Sequence, residues 1–231
     1  MPVAIITGAS RGFGLALARS LTSEGWNLVI DARDPHALRA SAEPLGVSGV
    51  VRAVPGDVAD GAHRTALVAA AAELGGIDLL VSNASLLGPS PQPALADYPL
   101  DVLAHVFEVN TLAPLALAQL ALPRLRERRG VIVNVTSDAA IEPYEGWGGY
   151  GSSKAALEQL GNVLGAEEPL VRVYTFDPGD MRTQMHQEAF PGEDISDRPE
   201  PETVVPALLR LLHDAPPSGR YRGADFATVK P

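Results

Sequence analysis

The feature that most constrains this chain is a regular alternation of short, β-branched apolar runs with longer stretches rich in alanine and leucine. Strands are expected at Val3–Thr7, Asn27–Asp31, Gly49–Val54, Ile77–Asn83, Gly130–Ser137 and Val171–Asp177, with a weaker seventh near Tyr221–Phe226. Helices are expected at Gly14–Glu24, Pro35–Glu43, Asp60–Leu74, Leu100–Arg128, Gly149–Glu167 and Glu202–His213. The strands are near-continuous apolar runs, the pattern of a sheet covered by helices on both faces. Alternation from end to end predicts an α/β fold, a doubly wound parallel sheet of about seven strands, in one domain over residues 1–231. Glycine and proline cluster at strand ends, notably in 85–99, 142–149 and 178–201. Such sheets bind ligands beyond the carboxyl ends of their strands, so function is expected in those loops.

Composition removes several classes of chemistry. With 46% hydrophobic residues in 231, the chain can bury a full core without staples. It has no cysteine, which excludes thiol nucleophiles, iron–sulfur clusters, thiolate zinc sites and disulfides. The five histidines are scattered without metal-ligand spacing, so no metal is expected. A formal net charge of −10 argues against a nucleic-acid partner. The start MPVAIITGAS lacks the basic and long apolar segments of a signal peptide. Leu112–Leu122 is too short to span a bilayer and carries Pro114 and Pro123 at its ends, so a buried helix and no membrane partner are expected. Cytoplasm is the default location.

The first expected strand runs into Thr7-Gly8-Ala9-Ser10-Arg11-Gly12-Phe13-Gly14, where a helix begins. Glycines let backbone turn sharply and approach a pyrophosphate, and a helix N-terminus offers free N–H groups and positive potential. The spacing Gly-x-x-x-Gly-x-Gly, preceded by threonine, resembles the short-chain dehydrogenase/reductase family. Five further stretches fall in the family's order: Asp57-Val58, Ser82-Asn83-Ala84-Ser85, Asn110 within Glu108–Thr111, Ser137 followed by Tyr150-Gly151-Ser152-Ser153-Lys154, and Asp177-Pro178-Gly179 through Thr183. The likeness covers residues 3 to 214. It implies nicotinamide-cofactor contacts at Gly8, Ser10, Arg11, Gly12, Phe13, Gly14, Asp57, Val58, Asn83, Ala84, Tyr150, Lys154, Pro178, Gly179 and Thr183, with Asp57-Val58 at the adenine. Two departures are serines at 82 and 85, where the family has asparagine and glycine.

Tyr150 and Lys154 are one helical turn apart and share a face. A nearby ammonium favours the phenolate, so the phenol is expected to fall from its usual pKa of roughly 10 and exchange protons near neutral pH. Ser137, at a strand tip, can orient a substrate oxygen, whereas strand alternation points Thr136 the other way. The resemblance adds that Lys154 grips the nicotinamide ribose and that Asn110 serves a water-mediated proton relay. The expected activity is hydride transfer between the cofactor and a carbonyl/alcohol pair.

For the cofactor, the family's acidic ribose-binding position falls on Ala32, with Arg33 next. Asp31 lies close but should aim away along the strand. Arg33, with Arg11, can clasp a 2′-phosphate, unless it is a solvated charge paired with Asp34. NADP is therefore expected ahead of NAD. Trp147, Tyr144 and the 180–200 insertion, with Met181, Met185, His186 and Phe190, should border a small-molecule substrate, the insertion acting as a lid. A homodimer through helices 100–128 and 149–167 is expected, with a homotetramer the alternative. The rival readings are a nucleotide-sensing or partner-binding protein on the same scaffold, and a sugar-nucleotide epimerase, for which too few residues follow Thr183.

Overall fold

A computed structural model describes residues 1–46 and 49–226. Seven parallel strands, β1 (Val3–Ile6), β2 (Asn27–Ala32), β3 (Val51–Pro55), β4 (Leu79–Ser82), β5 (Val131–Val135), β6 (Arg172–Asp177) and β7 (Gly219–Arg222), form one sheet in the order 3-2-1-4-5-6-7. The order reverses between β1 and β4, the switch point at which doubly wound sheets open a crevice. The helices are α1 (Gly12–Ser23), α2 (Pro35–Ala42), α3 (Gly61–Glu73), α4 (Leu100–Phe107), α5 (Ala113–Arg128), α6 (Gly148–Glu167), α7 (Gln184–Ala189) and α8 (Pro201–Asp214).

Alternate residues of each strand feed opposite cores. Ala4, Ile6, Leu28, Ile30, Val81, Val133 and Phe176 pack with Leu17 and Leu21 of α1 and Leu208 and Leu211 of α8. Val3, Ile5, Val29, Leu80, Ile132 and Val173 pack with Leu67 of α3 and Leu117, Ala121 and Leu125 of α5. Both faces are buried, which is why the strands read as unbroken apolar runs.

The seventh strand ends four residues short of its expected bound, because Gly223–Phe226 curl into a 3-10 turn. The stretch expected as one helix over 100–128 contains a π-turn at Glu108–Leu112, the position of Asn110. Pro114 sits in the first turn of α5, where its missing N–H costs nothing, and Pro123 is carried inside the helix. The run Leu100–Arg128 is therefore 29 residues of helix, long and apolar enough by length and composition to cross a membrane. The prolines do not shorten it as expected, although its inner face does pack on the sheet.

Candidate active site

The loops after β1 to β6 open into one cleft of ≈ 1630 Å³ at the carboxyl edge of the sheet. Its wall begins with the turn after β1. Gly8 holds φ +66°, and a Cβ there would lie 2.8 Å from the Ala84 Cα. Gly14 is needed for closeness instead, since a Cβ would meet the Asn83 amide nitrogen at 2.5 Å. Thr7 and Asn83 sew the turn to the end of β4. The Thr7 hydroxyl oxygen accepts from the N–H groups of Asn83 and Ala84, both at 3.0 Å. Asn83 Nδ2 in turn donates to the carbonyls of Thr7 (2.9 Å) and Gly8 (3.1 Å). Helix α1 then starts with no side-chain cap, so its first N–H groups lack acceptors and their positive potential meets the cleft. An uncapped helix start beside glycines that tolerate no Cβ fits a dinucleotide pyrophosphate.

Asp31 is buried in the cleft wall, 1% exposed. The Gly8 N–H donates to its Oδ1 at 2.6 Å, and His63 Nε2 lies 2.9 Å from its Oδ2. Burial raises the carboxyl's pKa, while the bonds to His63 and Gly8 pull it back. Both oxygens are thus engaged in holding the turn. Ala32 and Arg33 line the cleft beside it. Arg33 is exposed and makes no hydrogen bond or ion pair among the described residues. Asp34 instead caps α2 by accepting from the His36 and Ala37 N–H groups. Arg11 donates to the Gln184 side chain of α7 at 2.5 Å, tying the glycine turn to the 180–200 segment.

At the other end of the cleft, Ser137 follows β5 and caps a short 3-10 turn. Its Oγ accepts from the Ala139 N–H (3.2 Å) and donates to Asp138 (3.0 Å). Tyr150 and Lys154 stand in the first two turns of α6. Lys154 is 2% exposed, its Nζ donates to the Val135 carbonyl at 2.9 Å, and it lies 5.6 Å from the Tyr150 ring centre. Burial lowers the Lys154 pKa from 10.5 to about 8, against the opposing pull of Glu158. Burial also pushes the Tyr150 phenol above its ordinary value, with the Ser85 hydroxyl working the other way and Asp177 and Asp138 adding to the rise. The expected lowering of the phenol is therefore reversed in this structure. Desolvation is the largest cause, and the Lys154 ammonium gives its hydrogen bond to the Val135 carbonyl and not to the phenol.

All the expected cofactor-contact positions line the cleft except Gly14, which packs behind the turn, and so do Ser137, Tyr150 and Lys154. Asn110 does not. It is fully buried; its Oδ1 accepts from the Leu86 N–H (2.7 Å) and Ser85 Oγ (3.1 Å), and its Nδ2 donates to the Leu86 carbonyl (2.8 Å) and Ser153 Oγ (3.0 Å). All four polar positions of that amide are used by protein, which leaves none for a water. Thr136 also borders the cleft, but its hydroxyl is committed to Glu158, to which it donates at 2.7 Å.

The substrate side is aromatic. Trp147 packs edge-on against Tyr150 (5.9 Å between centroids) and at a tilt against Phe190 (5.8 Å), and His186 lies 4.9 Å from Phe190. Of the 180–200 segment, the stretch around α7 and residue 200 border the cleft. Sequence reasoning missed the Asp31–His63 pair and the buried Glu158–Asp177–Arg220 group, whose members are too far apart in sequence for spacing to signal them. One signal for Lys154 was available: the chain has only two lysines, at 154 and 230.

The model of the short chain dehydrogenase family matches residues 2–194. Sepiapterin reductase of Mus musculus is 36% identical over 200 residues, covering 80% of this chain and 76% of its own. Benzil reductase ((S)-benzoin forming) of Saccharomyces cerevisiae is 33% identical over 216 residues, 90% and 80% of the two chains. The crystal structure of an alcohol dehydrogenase from the archaeon Thermococcus sibiricus, complexed with 5-hydroxy-NADP, superposes with a TM-score of 0.86 at 28% identity, covering 96% of this chain and 95% of that one. The chain belongs to the short-chain dehydrogenase/reductase family of NAD(P)-dependent oxidoreductases.

Proposed function

We propose that this protein is an NADP(H)-dependent carbonyl reductase acting on aromatic ketones or aldehydes, in one domain that holds both cofactor and substrate. The observation that carries the reading is the convergence of Ser137, Tyr150 and Lys154 on one cleft whose other end is an uncapped helix start. A nicotinamide held in this cleft would supply the hydride for the carbonyl carbon, or take one from the alcohol. Ser137 exchanges its bond to Asp138 for one to the substrate oxygen and orients it. Tyr150 gives its proton to that oxygen as general acid, burial keeping the phenol protonated and so able to donate. Lys154 stands behind the phenol and supplies positive charge when protonated. Asn110 acts from behind the wall by fixing Ser85 and Leu86. Trp147, Phe190 and Leu87 exclude water, and the two aromatic rings offer their faces to an aryl group. Segment 180–200 serves as the lid.

The preference for NADP(H) is supported by an engaged Asp31, a side chain at Ala32 that accepts nothing, and an uncommitted Arg33 beside it. The 5-hydroxy-NADP in the archaeal neighbour is consistent with it. Exposed Leu112, Leu120 and Val163 on the long helices support a homodimer, which a solution mass would test. The function is tested by following NADPH absorbance with a panel of aryl ketones and aldehydes. Turnover should fall by roughly 10²-fold or more in Tyr150→Phe with cofactor affinity retained. Cofactor binding without turnover on the panel would return the nucleotide-sensing reading.

A further inference from the structure

Beside the cleft lies a largely buried group of charges of which only Asp177 falls in a motif. Arg220 of β7 donates from Nε to Glu158 Oε1 at 3.0 Å and from Nη2 to Asp177 Oδ2 at 2.8 Å. Nη2 also reaches the Ser137 carbonyl at 3.5 Å. The side chains of Arg220, Glu158 and Asp177 are 21%, 10% and 7% exposed.

Each partner is attached to a part of the site. Glu158 follows Lys154 by one turn on the same face of α6 and accepts from Thr136 Oγ1 at 2.7 Å. Asp177 ends β6 and accepts the Gly179 N–H at 3.0 Å, which shapes the Pro178–Gly179 turn. Three successive residues at the tip of β5 are therefore gripped in turn: Val135 by Lys154, Thr136 by Glu158 and Ser137 by Arg220. A planar guanidinium can hold two carboxylates and a carbonyl at set angles, which a lysine ammonium on a flexible stem cannot.

We propose that Arg220 is a positioning residue for the reaction, its guanidinium setting Ser137, the Lys154 face of α6 and the Pro178–Gly179 turn relative to one another. The inference rests on the carbonyl-reductase reading for its kinetic consequence, but not for its structural one. The titratable and charged groups around Lys154 are Tyr150 and Glu158 on its own helix, Asp138 after β5, Asp177 of β6 and Arg220 of β7. Among them Glu158 favours the charged ammonium. Arg220 holds Glu158 in an ion pair, so its removal leaves that carboxylate to act on Lys154 alone.

The test uses the full-length chain with carbon-13-labelled lysine, in which only two lysine signals exist. In Arg220→Met the Lys154 titration midpoint should rise by roughly one pH unit, and kcat at saturating cofactor and substrate should fall at least about tenfold. Arg220→Lys should bring the midpoint back towards wild type but not kcat, because charge is restored without the fork. If Arg220→Met does not fold, Arg220→Lys carries the kcat measurement and Glu158→Gln the midpoint measurement, the latter lowering the midpoint. An unmoved Lys154 midpoint in Arg220→Met or Glu158→Gln, or wild-type kcat per cofactor-occupied site in either Arg220 variant, overturns the proposal, since a merely structural arginine would lower folded yield alone. Absence of turnover in the wild type would fell the reductase reading, while the lysine signal would still decide this one.

Discussion

Raising the pH of the cofactor-free protein from about 8 to about 9.5 should stabilise it, against the usual trend for alkaline conditions. The cause is Lys154, whose pKa falls from 10.5 to about 8 on folding because the ammonium is desolvated. Between those two values the unfolded chain holds the proton that the folded chain has released, so stability climbs as pH rises. At about 1.36 kcal/mol per pH unit, the full effect is about 3 kcal/mol, of which about 1.5 kcal/mol develops between pH 8 and 9.5. For a chain of this size that corresponds to a Tm increase of about 3–6 °C. There is no cysteine and only one other lysine to compete in this window, while the phenols of Tyr98, Tyr144, Tyr150 and Tyr174, all raised on folding, oppose the rise towards its upper end. Above about pH 10 the sign reverses, since the folded state keeps the Tyr150 proton that the unfolded chain loses. The assay is thermal unfolding by circular dichroism across this range, alongside Lys154→Met, whose profile should lack the rise. A wild-type Tm that falls from pH 8 to 9.5 in parallel with Lys154→Met would refute the reasoning.

Other outcomes follow from the same geometry. Arg33→Ala should weaken NADPH binding about tenfold and leave NADH binding and Tm unchanged, because the lost contact is charge-assisted and the arginine supports nothing else; a fluorescence titration with both cofactors measures it. Gly8→Ala places a Cβ 2.8 Å from the Ala84 backbone at a left-handed φ, so Tm should drop by several degrees and cofactor affinity should fall with it. His63→Leu strips a buried partner from Asp31 and should cost about 3 kcal/mol in chemical denaturation, with a smaller loss in the double variant His63→Leu/Asp31→Asn.

Much of the fold was legible because its signals are local. Hydrophobic runs of strand length, helical stretches between them and a glycine turn at the first junction each report on a few neighbouring residues, and the seven-stranded sheet realises them closely. The candidate site was legible for a related reason. Residues at the carboxyl ends of parallel strands must meet, which brings Ser137 to the glycine turn, and the family resemblance added Tyr150 and Lys154 at the start of the following helix. The π-turn at Glu108–Leu112 was not legible, since nothing in Glu-Val-Asn-Thr-Leu distinguishes it from a continuous helix.

What the chain's residue order determined by itself was the architecture and the membership of the cleft, through periodicity and glycine placement. What only the tertiary structure decided was how buried charges are shared: Asp31 with His63 and the Gly8 N–H, Arg220 between Glu158 and Asp177, and an amide at Asn110 with no valence left over. It also decided the direction in which the phenol moves. Pairing and desolvation depend on segments that are distant in sequence arriving at one point, and no local pattern encodes the loss of water that results.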